Sequence, residues 1–260
     1  MFPIRDDNPH FLTPYATWGL IAANAAAWIL VQGLGTEPAL SASVCRLGFI
    51  PAEVLDLLPP GVSGFEVAPG LVCPFGEGGS WHTVLTSMFL HGGWMHLIGN
   101  MWFLWIFGNN VEDAMGHVRF VIFYLLSGIA AAALQTATQP GSVVPMVGAS
   151  GAIGGVMGAY VLMYPRVHVH LLVPLGFYVT TFAVPAFFML GYWFVLQFVS
   201  GFASVGGEGG GVAFWAHVGG FVAGAILSFV FRDRALLARH PYYGWRQRGS
   251  PTQSWHRVGR

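Results

Sequence analysis

Apolar residues run along this chain in long blocks separated by short polar or glycine-rich joints. Crossing the hydrocarbon core of a bilayer as a helix takes about 20 mostly apolar residues. The pattern predicts six such segments, at 14–33, 95–111, 117–137, 147–164, 172–200 and 212–231. The second is short, and the fifth is long enough to tilt or to begin at the membrane interface. Between the first two lie residues 34–94, rich in Pro and Gly. That stretch is too long for a plain connection, so it is expected to carry structure of its own. The pattern thus predicts an all-α membrane protein with six transmembrane helices and a long structured external loop between the first two. Residues 1–13 would form a cytoplasmic N-terminal segment, 14–231 the membrane domain, and 232–260 an arginine-rich cytoplasmic tail carrying Trp245 and Trp255.

Composition agrees with this pattern. The chain is 55% hydrophobic and only 8% charged, whereas a soluble domain carries about a quarter charged residues. Most of its surface must therefore meet the lipid bilayer. Net charge is zero with histidine neutral, which offers nothing to a nucleic acid, and none is expected as a partner.

All eleven basic residues are arginine, and they are unevenly placed. With six spans, Arg5, Arg119, Arg166 and the seven from Arg232 to Arg260 share one side, leaving Arg46 alone on the other. The positive-inside rule then puts both termini in the cytoplasm. The opening "MFPIRDDNPHFLTPYA" carries two acids before the first apolar run, so no cleavable signal is expected. The predicted location is a multi-pass protein of a bacterial inner (plasma) membrane. Cys45 and Cys73 both fall in the external segment, either as a disulfide or as two unrelated small residues.

Polar side chains inside a bilayer are costly, and each needs a reason. His91 precedes the second span, and His96 and Asn100, four apart and so on one helical face, lie near its start. Ser150 begins the fourth span, and His217 lies about a turn and a half into the sixth. Spans two, four and six all run inward, so these residues share one depth on three helices. Gly154/Gly158 and Gly220/Gly224 match the small-xxx-small pattern that lets helix backbones approach closely.

Taken singly, each residue has a plain structural reading. Ser150 would be packing in a glycine-rich helix, His96 and His217 hydrogen-bonded interior residues, and Asn100 glue between helices. Their convergence at one depth favours catalysis. No carboxylate lies in spans three to six, so a Ser-His-Asp triad is not expected there. His91 and His96 lack the His-Glu-x-x-His pattern of a zinc site, and neither a metal nor another cofactor is expected. What remains is a Ser150–His217 dyad, with Asn100 and His96 as donors to a developing oxyanion.

At these residues the sequence resembles the rhomboid family of intramembrane serine proteases, through "HGGWMHLIGN", "GASGA" and "AHVGGFVAG" in order on alternate spans. The resemblance covers about 14–231 and implies a rhomboid-like six-helix bundle. It assigns the nucleophile to Ser150, the general base to His217, and oxyanion binding to His96 and Asn100. The implied substrates are other transmembrane proteins, cut in or near a membrane-spanning segment. Two departures stand out. The Trp-Arg often found in the family's first external loop is Trp81-His82 here. The aromatic residue that some members carry one turn after the nucleophile is Gly154, so support for His217 is expected from elsewhere. The alternative reading is a catalytically inactive rhomboid-like protein that binds or escorts membrane clients. A small-solute transporter ranks third, because few polar residues continue into the inner half of the bundle.

Overall fold

The computed structural model of the protein describes residues 2–58, 60–61, 63–68, 71–75, 80–176, 178–204 and 212–243. They are mostly helical, and six helices of 14 to 22 residues dominate. These are α1 (Tyr15–Leu30), α2 (Trp94–Met115), α3 (His117–Thr138), α4 (Ser150–Met163), α5 (Ala186–Ala203) and α6 (Phe214–Phe231). Three of them, α3, α5 and α6, are long and apolar enough to cross a membrane, while α1 and α4 are apolar but shorter. Phe188, Tyr192, Val195, Val199 and Phe202 stand exposed along α5. Water would solvate such a row poorly, whereas lipid does so readily.

Two small sheets accompany the helices. β1 (Phe2–Asp6) lies in the segment before α1. In the stretch between α1 and α2, β2 (Gly64–Ala68) and β3 (Leu71–Pro74) form an antiparallel hairpin. That stretch also holds short helices at Ala39–Leu47 and Pro51–Val54, and a Cys45–Cys73 disulfide with Cα atoms 5.1 Å apart. It does carry structure of its own, and the two cysteines are a pair.

The fifth apolar segment differs from its expected form. Helix begins only at Ala186, and the preceding residues form a hairpin of β4 (His168–Leu175) and β5 (Tyr178–Pro185). The register runs from His168↔Pro185 to Leu175↔Tyr178, with Gly176 at φ 62 in the turn. Val173, Val179, Thr180, Thr181 and Val184 are β-branched and prefer a pleated surface. Pro174 would also deny a helix one of its backbone donors. β1 pairs antiparallel with the free edge of β4, giving the order β1-β4-β5.

That pairing gathers the N-terminal strand and the α4–α5 connection at one end of the bundle. The α2–α3 joint and the start of the tail lie there too: the Asp233 amide donates to the Ala114 carbonyl at 2.8 Å, and Arg119 lies 3.3 Å from Asp233. Two buried carboxylates at the end of α2 tie this end together. Glu112 accepts from the amides of Ala16 and Thr17 and from the Thr17 hydroxyl, at 2.7 to 2.9 Å. Asp113 accepts from the amides of Phe11 and Leu12 at 2.7 and 2.6 Å, and the His240 ring lies 2.9 Å from it. Each oxygen thus meets first-turn or pre-helix amides of α1 that no helical carbonyl can satisfy.

In the centre, Phe107, Phe120, Phe123, Tyr124 and Tyr160 are fully buried around α2, α3 and α4. The contact between α4 and α6 has no side chains to spare. A Cβ built on Gly224 would sit 2.2 Å from the Gly155 oxygen, and one on Gly158 only 2.1 Å from the Phe221 oxygen. Glycine is what permits that distance.

Candidate active site

Ser150 is the first residue of α4. Its approach is set by Gly148, whose φ of 130 disfavours any side chain and whose amide donates to the Ser87 carbonyl at 2.9 Å. Because Ser150 opens the helix, the first-turn amides beside it have no intrahelical partner, and the helix dipole adds positive potential there.

His217 reaches Ser150 from α6. Its Nε2 lies 2.7 Å from the Ser150 hydroxyl, hydrogen-bond distance for proton transfer. A Cβ on Gly154 would meet the His217 carbonyl at 3.0 Å, so the bare turn of α4 is what lets the backbone of α6 come this near. The other ring nitrogen, Nδ1, is 2.7 Å from the side-chain oxygen of Gln197 on α5. Trp193, one turn earlier on α5, places its ring centroid 5.8 Å from the imidazole. Support for His217 thus comes from α5, not from Gly154, the position one turn after the serine.

His96 and Asn100 sit one turn apart on α2. The Gly92 amide donates to His96 Nδ1 at 3.3 Å, which leaves Nε2 as the protonated nitrogen. That Nε2 would lie 2.7 Å from a Cβ placed on Gly148, with the Ser150 hydroxyl 3.4 Å from the same point. Serine oxygen and histidine donor therefore border one small space. Asn100 is buried, and its amide nitrogen has no hydrogen-bond partner among the described residues. A buried unpaired donor costs stability unless something arrives to accept from it.

All four residues line one cavity of about 460 Å³, together with Trp193 and Gln135. Among the described residues no carboxylate lines it. The arrangement offers a hydroxyl bonded to a ring nitrogen, with donors close by and unspent. Such a set can activate an oxygen nucleophile and bind the oxyanion formed by its attack on a carbonyl.

The residues singled out from the sequence meet here, with one exception. His91 is fully buried behind the site, its ring 5.1 Å from that of His96, and its backbone is clasped by Gln32 through two bonds of 2.8 Å. Its place is to hold the turn before α2. Sequence reasoning overlooked Gln197 and Gln135. Gln135 accepts from the Ala216 amide at 3.1 Å and so caps the start of α6 just before His217. A signal was present, since Gln197 is the one amide side chain within Ala186–Ala203, where any polar group asks for a partner.

The Rhomboid domain family matches residues 78–234, more than half of the chain and all of this site. The chain belongs to the rhomboid family. Among relatives of this rhomboid, RHOMBOID-like protein 4 of Arabidopsis thaliana is 29% identical over 247 residues, covering 92% of the chain and 56% of that protein. RHOMBOID-like protein 5 of the same plant is 29% identical over 256 residues, with 92% and 74% covered. Rhomboid protease GluP of Bacillus subtilis (strain 168) is 34% identical over 170 residues, with 64% and 32% covered. The chain thus spans about half the length of the first of these and a third of the last. At the level of the family, this is an integral membrane protein of a protease lineage.

Proposed function

We propose that this rhomboid is an intramembrane serine protease that cuts other membrane proteins in or near a transmembrane segment. One observation carries the reading: the Ser150 hydroxyl is 2.7 Å from His217 Nε2, in a cavity that also holds the His96 ring and the unpaired Asn100 amide. Ser150 attacks the peptide carbonyl while its proton passes to His217 Nε2. His217 then gives that proton to the leaving amine, and water hydrolyses the acyl-enzyme by the same exchange in reverse. His96, Asn100 and the amide of Ser150 stabilise the oxyanion.

We also take the six long helices as six spans within a membrane domain at 14–231, with both termini and the 232–260 tail on the cytoplasmic side. The gathering of β1, the α2–α3 joint, the α4–α5 connection and Asp233 at one end supports this alternation. The arginine bias supports its direction. Most of the tail, from 244 onward, lies outside the described residues.

The test is cleavage of a transmembrane substrate in phospholipid vesicles. Wild type is expected to cut it and to be labelled at Ser150 by a fluorophosphonate, and Ser150→Ala to do neither. An unlabelled wild type that still binds the substrate would point instead to an inactive client-binding protein.

A further inference from the structure

We infer that Gln197 is the positioning residue for the catalytic histidine, fixing the ring of His217 in the tautomer that can take the proton of Ser150. The inference rests on the protease reading above. Neutral imidazole carries one proton, and it sits on either nitrogen. Only with Nδ1 protonated is the Nε2 lone pair free to face the serine hydroxyl 2.7 Å away. The side-chain oxygen of Gln197, 2.7 Å from Nδ1, accepts a hydrogen bond and so selects that form. A serine triad commonly fills this place with a carboxylate, but no Asp or Glu occurs in α5 or α6 to do so.

An amide suits the surroundings. A carboxylate here would be an ionised group within a helix whose neighbours Val195, Leu196, Phe198 and Val199 are exposed and apolar. Burying such a charge costs folding stability without removing the acceptor oxygen, whereas an amide oxygen carries only a partial charge. Gln197 and Trp193 are four apart on α5, so one face of that helix both orients the ring nitrogen and packs against the ring plane. Among the described residues, the one titratable side chain other than His217 that lines the cavity is His96, and its Nδ1 is already committed to the Gly92 amide. Among the described residues, then, the hydrogen-bond partner of His217 Nδ1 is Gln197, while Nε2 faces Ser150.

The experiment compares Q197M and Q197E with wild type, as full-length protein in phosphatidylcholine vesicles. Methionine keeps the chain length and lacks an amide; glutamate restores an acceptor oxygen. The fluorophosphonate labelling rate at Ser150 is expected to fall about 10²-fold in Q197M, the lower end of what general acid–base assistance supplies. Q197E is expected to recover most of that rate. With a transmembrane substrate, Q197M should lower kcat and leave KM unchanged, while its thermal midpoint stays at the wild-type value. In ¹⁵N-histidine spectra, the His217 signal, assigned by its loss in His217→Ala, should show protonated Nδ1 in wild type and a tautomer mixture in Q197M. Equal labelling of Q197M and wild type would overturn the proposal. So would a loss that Q197E shares in full, since that marks packing and not an acceptor. A wild type that never labels at Ser150 would instead sink the protease reading itself.

Discussion

Gly220 rests directly on Gly151: a Cβ at position 220 would lie 1.9 Å from the Gly151 carbonyl oxygen. Ser150 is the neighbour of Gly151, and His217 is almost one turn before Gly220, so this backbone contact sets the distance between serine and histidine. Gly220→Ala must push α4 and α6 apart. Overpacking of this kind costs about 1–3 kcal/mol, and the dyad bond should suffer more than the fold. The expected result is a lowered thermal midpoint and labelling at Ser150 reduced well beyond the unfolded fraction. Gly191→Ala on α5, where an added Cβ meets nothing within 4 Å, should match wild type in both. If Gly220→Ala labels at the wild-type rate, the contact does not govern the site.

How much of this was legible before the structure depends on the element. Uninterrupted apolar runs marked α3 and α6 to within about two residues, because length alone forces a membrane helix. The same feature misled at 172–185. A continuous apolar run reads alike as buried helix or strand, and Pro174, Gly176, Pro185 and the β-branched residues of 179–184 were the hints against helix. Ser150, His217, His96 and Asn100 were singled out together because the predicted alternation of spans sets them at one depth, and in the structure they line one cavity. Gln197 escaped because its own helix carries no other catalytic candidate, and its partner is remote in sequence. The pairing of β1 with β4 joins residues about 165 apart, a contact that no local pattern encodes.

The Cys45–Cys73 bridge closes a loop with a sequence separation of 28. In the chain-entropy model such a crosslink contributes about 3–4 kcal/mol. Its effect should centre on the segment between α1 and α2, where it ties the Ala39–Leu47 helix to β3. Cys45→Ser is expected to lower the thermal midpoint, and non-reducing peptide mass spectrometry of wild type should recover the linked pair. Two free thiols in protein prepared from an oxidising compartment would contradict the bond.

Asp6 predicts a pH dependence. Burial pushes its pKa up to about 7, partly offset by the Tyr160 hydroxyl that donates to it. The unfolded chain releases this proton near pH 3.8. Between about 4 and 7 the folded protein therefore holds a proton that the unfolded chain has lost, so stability falls as pH rises through that window. Above it the cost of the half-buried carboxylate is fully present. Asp6→Asn keeps an acceptor for Tyr160 without the charge. Thermal midpoints of variant and wild type should converge near pH 4, and the variant should melt higher at pH 8. Curves that run parallel across this range would mean that Asp6 titrates normally.

The two proposed oxyanion donors, His96 and Asn100, should be separable from the proposed dyad. Removing one donor from such a site typically costs about 10²–10³ in rate, so Asn100→Ala and His96→Ala should each keep measurable cleavage with KM little changed. Gly148→Ala should be worse than its small size suggests. It forces a side chain onto a φ of 130 and places its Cβ 2.7 Å from His96 Nε2. Steady-state kinetics on the three variants tests this, and an Asn100→Ala protein as fast as wild type would remove Asn100 from the mechanism.

The decisive series concerns Ser150 and His217 themselves. Ser150→Ala removes one hydroxyl from a glycine-rich helix that readily accepts alanine, so its thermal midpoint should stay near that of wild type. Cleavage should nonetheless vanish, because His217 then has no oxygen to activate. His217→Ala should lose as much, since Ser150 without its base is an ordinary alcohol. Residues that act as one unit do not lose activity additively, so the double variant should be no slower than either single one. A packing role predicts the opposite pattern: small losses that add, and that follow the melting temperature. The measurement is initial cleavage of a transmembrane substrate in vesicles, with substrate and product fragments quantified at equal amounts of folded protein. Cleavage at the same bond by Ser150→Ala would leave that serine as packing and require another nucleophile.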